Sequence, residues 1–203
     1  MYLTLSSLQA LTSFSWPAVI IPLRSGMTTA MAILHCEDCP KEAYSAIQNV
    51  VTLTALLTAL AERFCRALQA IDADAKKLEQ SGQKKDMRIG DNSLENLHLH
   101  TGGVDCHMSF NIELGAEDWR KLAKKAVRTE VWGNGSNPTP LIRVVEQMEL
   151  RQERWHAHNS GQMERGHIFG NCGGLVPSEQ QPDRTCLRMV NLVRKMIDTM
   201  DWT

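Results

Sequence analysis

Mostly apolar residues recur on an alternating three-and-four spacing through the first half of the chain: Ile47, Val50, Thr54, Leu57, Ala61, Phe64, Leu68, Ile71, Ala75 and Leu78. That spacing lines one stripe of a helix. It predicts a long helix opened by Pro40, running to about Gln80 and stopped at Gly82, since glycine suits a left-handed helix end. Val51, Leu53, Leu56 and Leu60 add apolar residues on other faces of its first half. A helix that is apolar nearly all round belongs at the centre of a core. The second half has a polar back of Arg66, Asp72, Asp74, Lys76 and Lys77. The stripe has two possible uses, a seam between two chains or packing within one chain, and the pattern favours the second.

A second helical pattern covers Ala116 to Val131, with Trp119, Leu122, Ala123, Ala126, Val127 and Val131 inward. Arg120, Lys121, Lys124, Lys125 and Arg128 crowd the opposite side and form the one concentrated basic surface of the chain. Amphipathicity alone accounts for a solvated face of this kind, although phosphates or an acidic partner would also suit it. The run Gly133-Asn134-Gly135-Ser136-Asn137-Pro138 ends that helix. Thr139 is placed to cap a third helix with Pro140 at its first position. Leu141, Val144, Val145, Met148, Gln152 and Trp155 form the inner face of that helix. A last helix starts at Asp183 or Thr185 and carries Leu187, Val190, Val193, Ile197 and Met200 in register.

Between these patterns, Ser81 to Leu114 reads as a connector rich in Gly, Asn, Asp and His, and Asn159 to Asp183 as a glycine-rich loop or disordered insertion. No run of strands is evident. The expected fold class is all-α: an irregular helical bundle with one long central helix and extended loops. The expected organisation is an apolar leader at 1–35, whose order the pattern does not fix, and a helical domain at 36–203 with a flexible segment at about 159–183.

The leader carries a single charge, Arg24, from Met1 to Leu34. No basic residue precedes its apolar run, as a signal peptide would require. Its serines, threonines and two prolines, Pro17 and Pro22, interrupt the roughly 20 apolar residues that a spanning helix needs. The expectation is one or two short helices packed on the rest, or a poorly ordered leader, with no membrane anchor. Lys+Arg total 22 against Asp+Glu 23, a balance without the basic excess typical of nucleic-acid binders. The six cysteines, Cys36, Cys39, Cys65, Cys106, Cys172 and Cys186, are too irregularly spaced for a binuclear zinc cluster or a secreted disulfide framework. Reduced thiols in an intracellular protein are expected.

Candidate chemistry is thin. His98-Leu99-His100 followed by Cys106-His107 is the best metal candidate, because two imidazoles two residues apart in an extended segment point the same way. No carboxylate stands in an obvious supporting position. Cys36-Glu37-Asp38-Cys39 has C-x-x-C spacing but lacks the preceding strand of a redox fold, so a structural or incidental pair is the simpler reading. Helix-end electrostatics account for Trp155-His156-Ala157-His158. Phosphate-binding, dinucleotide-binding, serine-hydrolase and zinc-protease motifs are all missing. No catalytic, cofactor-binding or metal-binding residue is nominated, and no cofactor is expected.

Several short runs occur in a suggestive order: Cys36-Glu37-Asp38-Cys39-Pro40 before the long helix, Arg88-Ile89-Gly90, Phe110-Asn111-Ile112-Glu113-Leu114 and Trp119. Glu149-Leu150-Arg151-Gln152, Trp155-His156, Cys186-Leu187-Arg188-Met189 and Asp201-Trp202 follow. From Leu34 to Trp202 this order resembles the C-terminal regulatory region of fungal binuclear zinc-cluster transcription factors, especially regulators like that of the aflatoxin cluster. The resemblance implies a nuclear, helical regulatory domain that controls a fungal secondary-metabolite gene cluster. Other transcription factors, or a second copy meeting the long helix, are its implied partners. The family's cysteine-rich DNA-binding module has no counterpart before Cys36, so none of its zinc ligands or base-reading lysines carries over, and protein contacts rather than direct DNA binding are expected. The alternative is a metal- or small-molecule-binding enzyme of a biosynthetic pathway, built on the same scaffold and using the His98, His100, Cys106, His107 loop.

Overall fold

Thirty-nine consecutive residues form the spine of the molecule, helix α3 at Ala43–Ser81, about 58 Å long at ~1.5 Å per residue. The structure is a computed structural model that describes residues 1–38, 43–91, 95–103, 105–157 and 185–203. Before α3 come α1 at Tyr2–Gln9 and α2 at Ile20–Leu34. After it come β1 at Lys85–Gly90, a single 3-10 turn at Leu97–Leu99, and β2 at Ser109–Leu114. Helices α4 at Ala116–Trp132, α5 at Leu141–Ala157 and α6 at Thr185–Asp198 follow among the described residues. Cys39, Pro40, His158 and the segment 159–183 with Cys172 lie outside the described residues, as do the side chains of Trp155 and His156.

Among the described residues, each of the other α-helices touches α3. The reason is visible in its sequence. Val50, Thr54, Leu57, Ala61, Phe64, Leu68, Ile71 and Ala75 of the stripe are buried, and so are Leu53, Leu56 and Leu60 on neighbouring faces. A helix with so wide an apolar surface must be covered on several sides. Helices α2, α4, α5 and α6 supply the cover with Leu23, Met27, Ala123, Val127, Val144, Met148, Val193 and Ile197, all part of one continuous core. The apolar residues of 1–34 therefore pack in the same core as those after residue 36. Among the described residues no helix is long and apolar enough to cross a membrane.

Close packing of α2 on α3 depends on Gly26. A Cβ there would lie 2.9 Å from Leu60 Cδ2 and 3.2 Å from Leu8 Cδ1, so the bare backbone lets three helices meet. Two connections differ from the sequence-based expectation. Thr139 does not cap α5: its N–H and hydroxyl both turn to Asn137 Oδ1, at 3.0 and 3.3 Å. The carbonyl of Pro140 instead accepts from the Arg143 and Val144 N–H groups, at 3.0 and 3.3 Å, so the helix begins one residue later.

The larger correction concerns fold class. The molecule is mainly α, but the connector expected from Ser81 to Leu114 holds an antiparallel pair in which Lys85, Met87 and Ile89 face Leu114, Ile112 and Phe110. Their alternation with Asp86, Arg88, Asn111 and Glu113 is the period-2 signal of a strand pair, diluted by the polar loop between. An isolated two-stranded pair is marginal in water. Here Met87 and Leu114 rest against the helical core, and Lys85 Nζ sits 5.0 Å from the Trp119 ring centroid.

Candidate functional site

The histidine and cysteine loop joins the ends of β1 and β2. Arg88 fastens it, donating from Nε to Ser109 Oγ and from Nη2 to the Gly103 carbonyl, each at 2.8 Å. Of the four candidate ligands, the fold brings two together. His100 Nδ1 lies 3.5 Å from Cys106 Sγ. The other ring nitrogen, Nε2, meets the Asp91 carbonyl, which only accepts, so Nε2 carries the proton and Nδ1 faces the sulfur. Space for the ring comes from Gly90, where a Cβ would lie 3.3 Å from His100 Cε1.

His98 and His107 stay apart from this pair, both exposed. The expectation that His98 and His100 point the same way assumed an extended backbone, whereas His98 sits in the 3-10 turn. Among the described residues no group of three or more His, Cys, Asp or Glu side chains is placed to hold a metal ion.

Cys106 is buried yet acidic for a thiol. Hydrogen bonds from the Met108 and Thr101 backbone, aided by the Thr101 and Ser109 side chains, lower its pKa to about 6. The Asp91 carbonyl, followed by the Cys106 sulfur, raises that of His100. Cys65, inside α3, moves the other way, because burial and then the Glu62 charge push its thiol up. Alkylation by iodoacetamide, followed by peptide mass spectrometry, separates the two. The Cys106 rate is expected to reach half its plateau near pH 6, whereas Cys65 labels only in alkali, because the thiolate is the reacting form. Backbone donors are the main cause, so His100→Ala is expected to keep the Cys106 midpoint below the usual thiol range. A midpoint near the ordinary value of ~8.5 would contradict the placement of those donors.

The basic face of α4 is the second candidate, and it is smaller than the sequence suggests. Lys124 is buried, with Nζ 3.0 Å from Asp72 Oδ1 and 2.5 Å from the Thr203 carbonyl. Arg120 Nε donates to the same Asp72 oxygen at 2.7 Å. Lys121 pairs with Glu117 one turn back. Arg120 and Lys124 thus tie α4 to α3 and to the residues after α6. Lys125 and Arg128 stay exposed and have no partner among the described residues, and two cations are too few to follow a phosphate backbone. The sequence pattern could not reveal this, because Asp72 and Thr203 reach α4 only through the tertiary fold.

Arg24, the lone charge of the leader, belongs to a third cluster. Its Nε donates to Glu130 Oε2 at 2.8 Å, and its Nη2 meets Glu130 Oε1 and, at 3.0 Å, Ser136 Oγ. Glu130 is only 5% exposed and also accepts from Asn137 Nδ2 at 2.9 Å. Burying a polar side chain of this kind is costly without such hydrogen-bond partners. Gly133, at φ +96, makes the turn after α4 that brings Ser136 and Asn137 back to this pair. Sequence reasoning noted that Arg24 stood alone but had no means of finding Glu130.

A fourth feature is a groove of about 670 Å³ along α3. Ala55, Thr58 and Ala59 form its floor, Leu5 of α1 stands on one side and Met189 and Leu192 of α6 on the other. Val51 and Leu192 are more than half exposed there, at 54% and 55%.

Among the described residues none of these four clusters unites a nucleophile, a base and an electrophile-stabilising group. Comparison with known proteins adds the following. The chain is 26% identical over 208 aligned residues to the transcription factor rglT of Aspergillus fumigatus, with the same identity in two strains. The alignment takes in 97% of this chain and 45% of that relative, so the chain spans less than half the length of the proteins it matches. No family model matches, and no solved structure matches.

Proposed function

We propose that this chain is the regulatory part of a nuclear transcription regulator that controls a fungal secondary-metabolite gene cluster. The observation that carries the reading is the similarity to a fungal transcription factor over 97% of the chain. That similarity supports a role in transcriptional regulation. The order of short motifs from Cys36 to Trp202 adds the metabolite cluster as its target class.

The chain acts in this reading through protein contacts rather than by gripping DNA. Support comes from α4, whose Arg120, Lys121 and Lys124 are taken up by carboxylates and a backbone carbonyl. Partners of the expected kind, other transcription factors or a second copy of the chain, would meet the outward strip of α3 between Leu5 and Leu192. The alternative, a metal- or small-molecule-binding enzyme, would rest on a loop that brings together His100 and Cys106 among the described residues.

Transcript abundance in a strain lacking the gene tests the reading. A coordinated change of several-fold across one biosynthetic cluster is expected. Unchanged transcripts together with a lost metabolite would instead assign the chain to the pathway's chemistry.

A further inference from the structure

A cleft of about 550 Å³ opens between the start of α2 and the end of α4. Its volume lies in the range of small-molecule sites, ~300–1,000 Å³. Trp16, Pro17, Ile20 and Ile21 build an apolar wall, while Arg24 and Ser136 supply polar groups. Trp16 is held in place from behind: its ring meets the buried Trp119 edge-on, with centroids 5.3 Å apart and planes at 62°. The indole is thus presented as a fixed surface.

The polar end has a particular electrostatic character. Arg24 spends Nε and Nη2 on Glu130 and Ser136. Its Nη1 donors have no acceptor among the described residues, and the side chain is 39% exposed. Glu130 cancels the guanidinium charge at contact distance, and among the described residues no other charged side chain lines the cleft. An incoming carboxylate would gain little from a neutralised cation and would lie close to the Glu130 charge. A neutral carbonyl gains a hydrogen bond from Nη1 without that repulsion and leaves fewer water contacts behind. The ion pair also keeps Arg24 firmly protonated, because the Glu130 hydrogen bond raises its pKa.

The geometry points to this cleft as a binding site for a neutral, mostly apolar aromatic small molecule bearing a carbonyl acceptor. The ring packs against Trp16 and Ile20, and the carbonyl faces Arg24. The assignment is independent of the transcriptional reading, because binding is measured on the isolated full chain.

Three probes of one ring size test it by calorimetric titration: 2-acetylnaphthalene, 2-naphthoate and naphthalene. The ketone is expected to bind saturably at one site, at least tenfold more tightly than the carboxylate and several-fold more tightly than the bare hydrocarbon. Ile21 is 75% exposed at the mouth, so Ile21→Ser removes apolar wall with little effect on folding. Ser136 lies on an exposed turn, so Ser136→Trp fills the cleft from outside the core. Ile21→Ser is expected to keep the thermal midpoint, and both variants are expected to weaken the ketone about tenfold. Absence of saturable ketone binding would overturn the proposal. So would equal affinity for the carboxylate, or unchanged affinity in both variants.

Discussion

Replacing Met27 by aspartate is expected to abolish the cooperative folding of the whole chain, although the residue belongs to the segment that reads as a leader. Met27 is fully buried and lies in the core shared with α3. A carboxylate placed there would stand among the apolar side chains of that core, away from water. Burying an uncompensated charge costs several kcal/mol even after the group takes up a proton. That is comparable with the ~5–15 kcal/mol total stability of a typical domain. Near-UV circular dichroism and thermal unfolding read the effect: the variant should lose its fixed aromatic signal and its sharp transition. The loss is expected to shrink as pH falls towards the carboxylate range, since the protonated acid is cheaper to bury. Ile21→Asp, six residues earlier on the same helix and 75% exposed, is the matched control and should unfold like the parent.

The second large effect is expected at Phe64. Its ring is fully buried midway along α3. Truncation to alanine removes the transfer free energy of the ring and leaves a cavity that the surrounding helices fill only in part. Such changes cost ~3–5 kcal/mol. Urea unfolding of Phe64→Ala should therefore show a markedly lower midpoint with an unchanged slope. Leu192→Ala, at an apolar residue 55% exposed beside the groove, should stay within ~0.5 kcal/mol of the parent. Comparable losses at both positions would mean that the two exposures are misassigned.

The sequence made the helices legible where burial is one-sided. The stripe from Val50 to Ala75 is buried as its spacing predicts, and so is the inner face of α5 from Leu141 to Gln152. The hairpin was hidden because only three inward residues per strand alternate and Phe110, among them, stays 62% exposed. A loop rich in Gly and His between the strands diluted the signal further. The candidate chemistry failed for a related reason. His98 and His100 are two residues apart, which aligns side chains on a strand but not on a 3-10 turn. Lys124 looked solvated because its carboxylate, Asp72, stands 52 residues earlier on another helix. Arg24 and Glu130 are likewise 106 residues apart. Local patterns report faces and periods, whereas ion pairs and clefts arise from where helices cross.

Arg24 with Glu130, Arg120 and Lys124 with Asp72, and Arg194 with Glu149 tie neighbouring helices together, and a groove and a cleft open outward from that scaffold. Regulation of transcription is the claim on which the functional reading stands. Its most direct measurement is genome-wide transcript abundance in the deletion strain, compared with strains carrying the restored gene or the Met27→Asp form. The account predicts that transcripts of one secondary-metabolite cluster shift together by several-fold on deletion. They should return with the restored gene and stay shifted with Met27→Asp. Cluster transcripts that remain unchanged in all three strains, while the metabolite disappears on deletion, would contradict it.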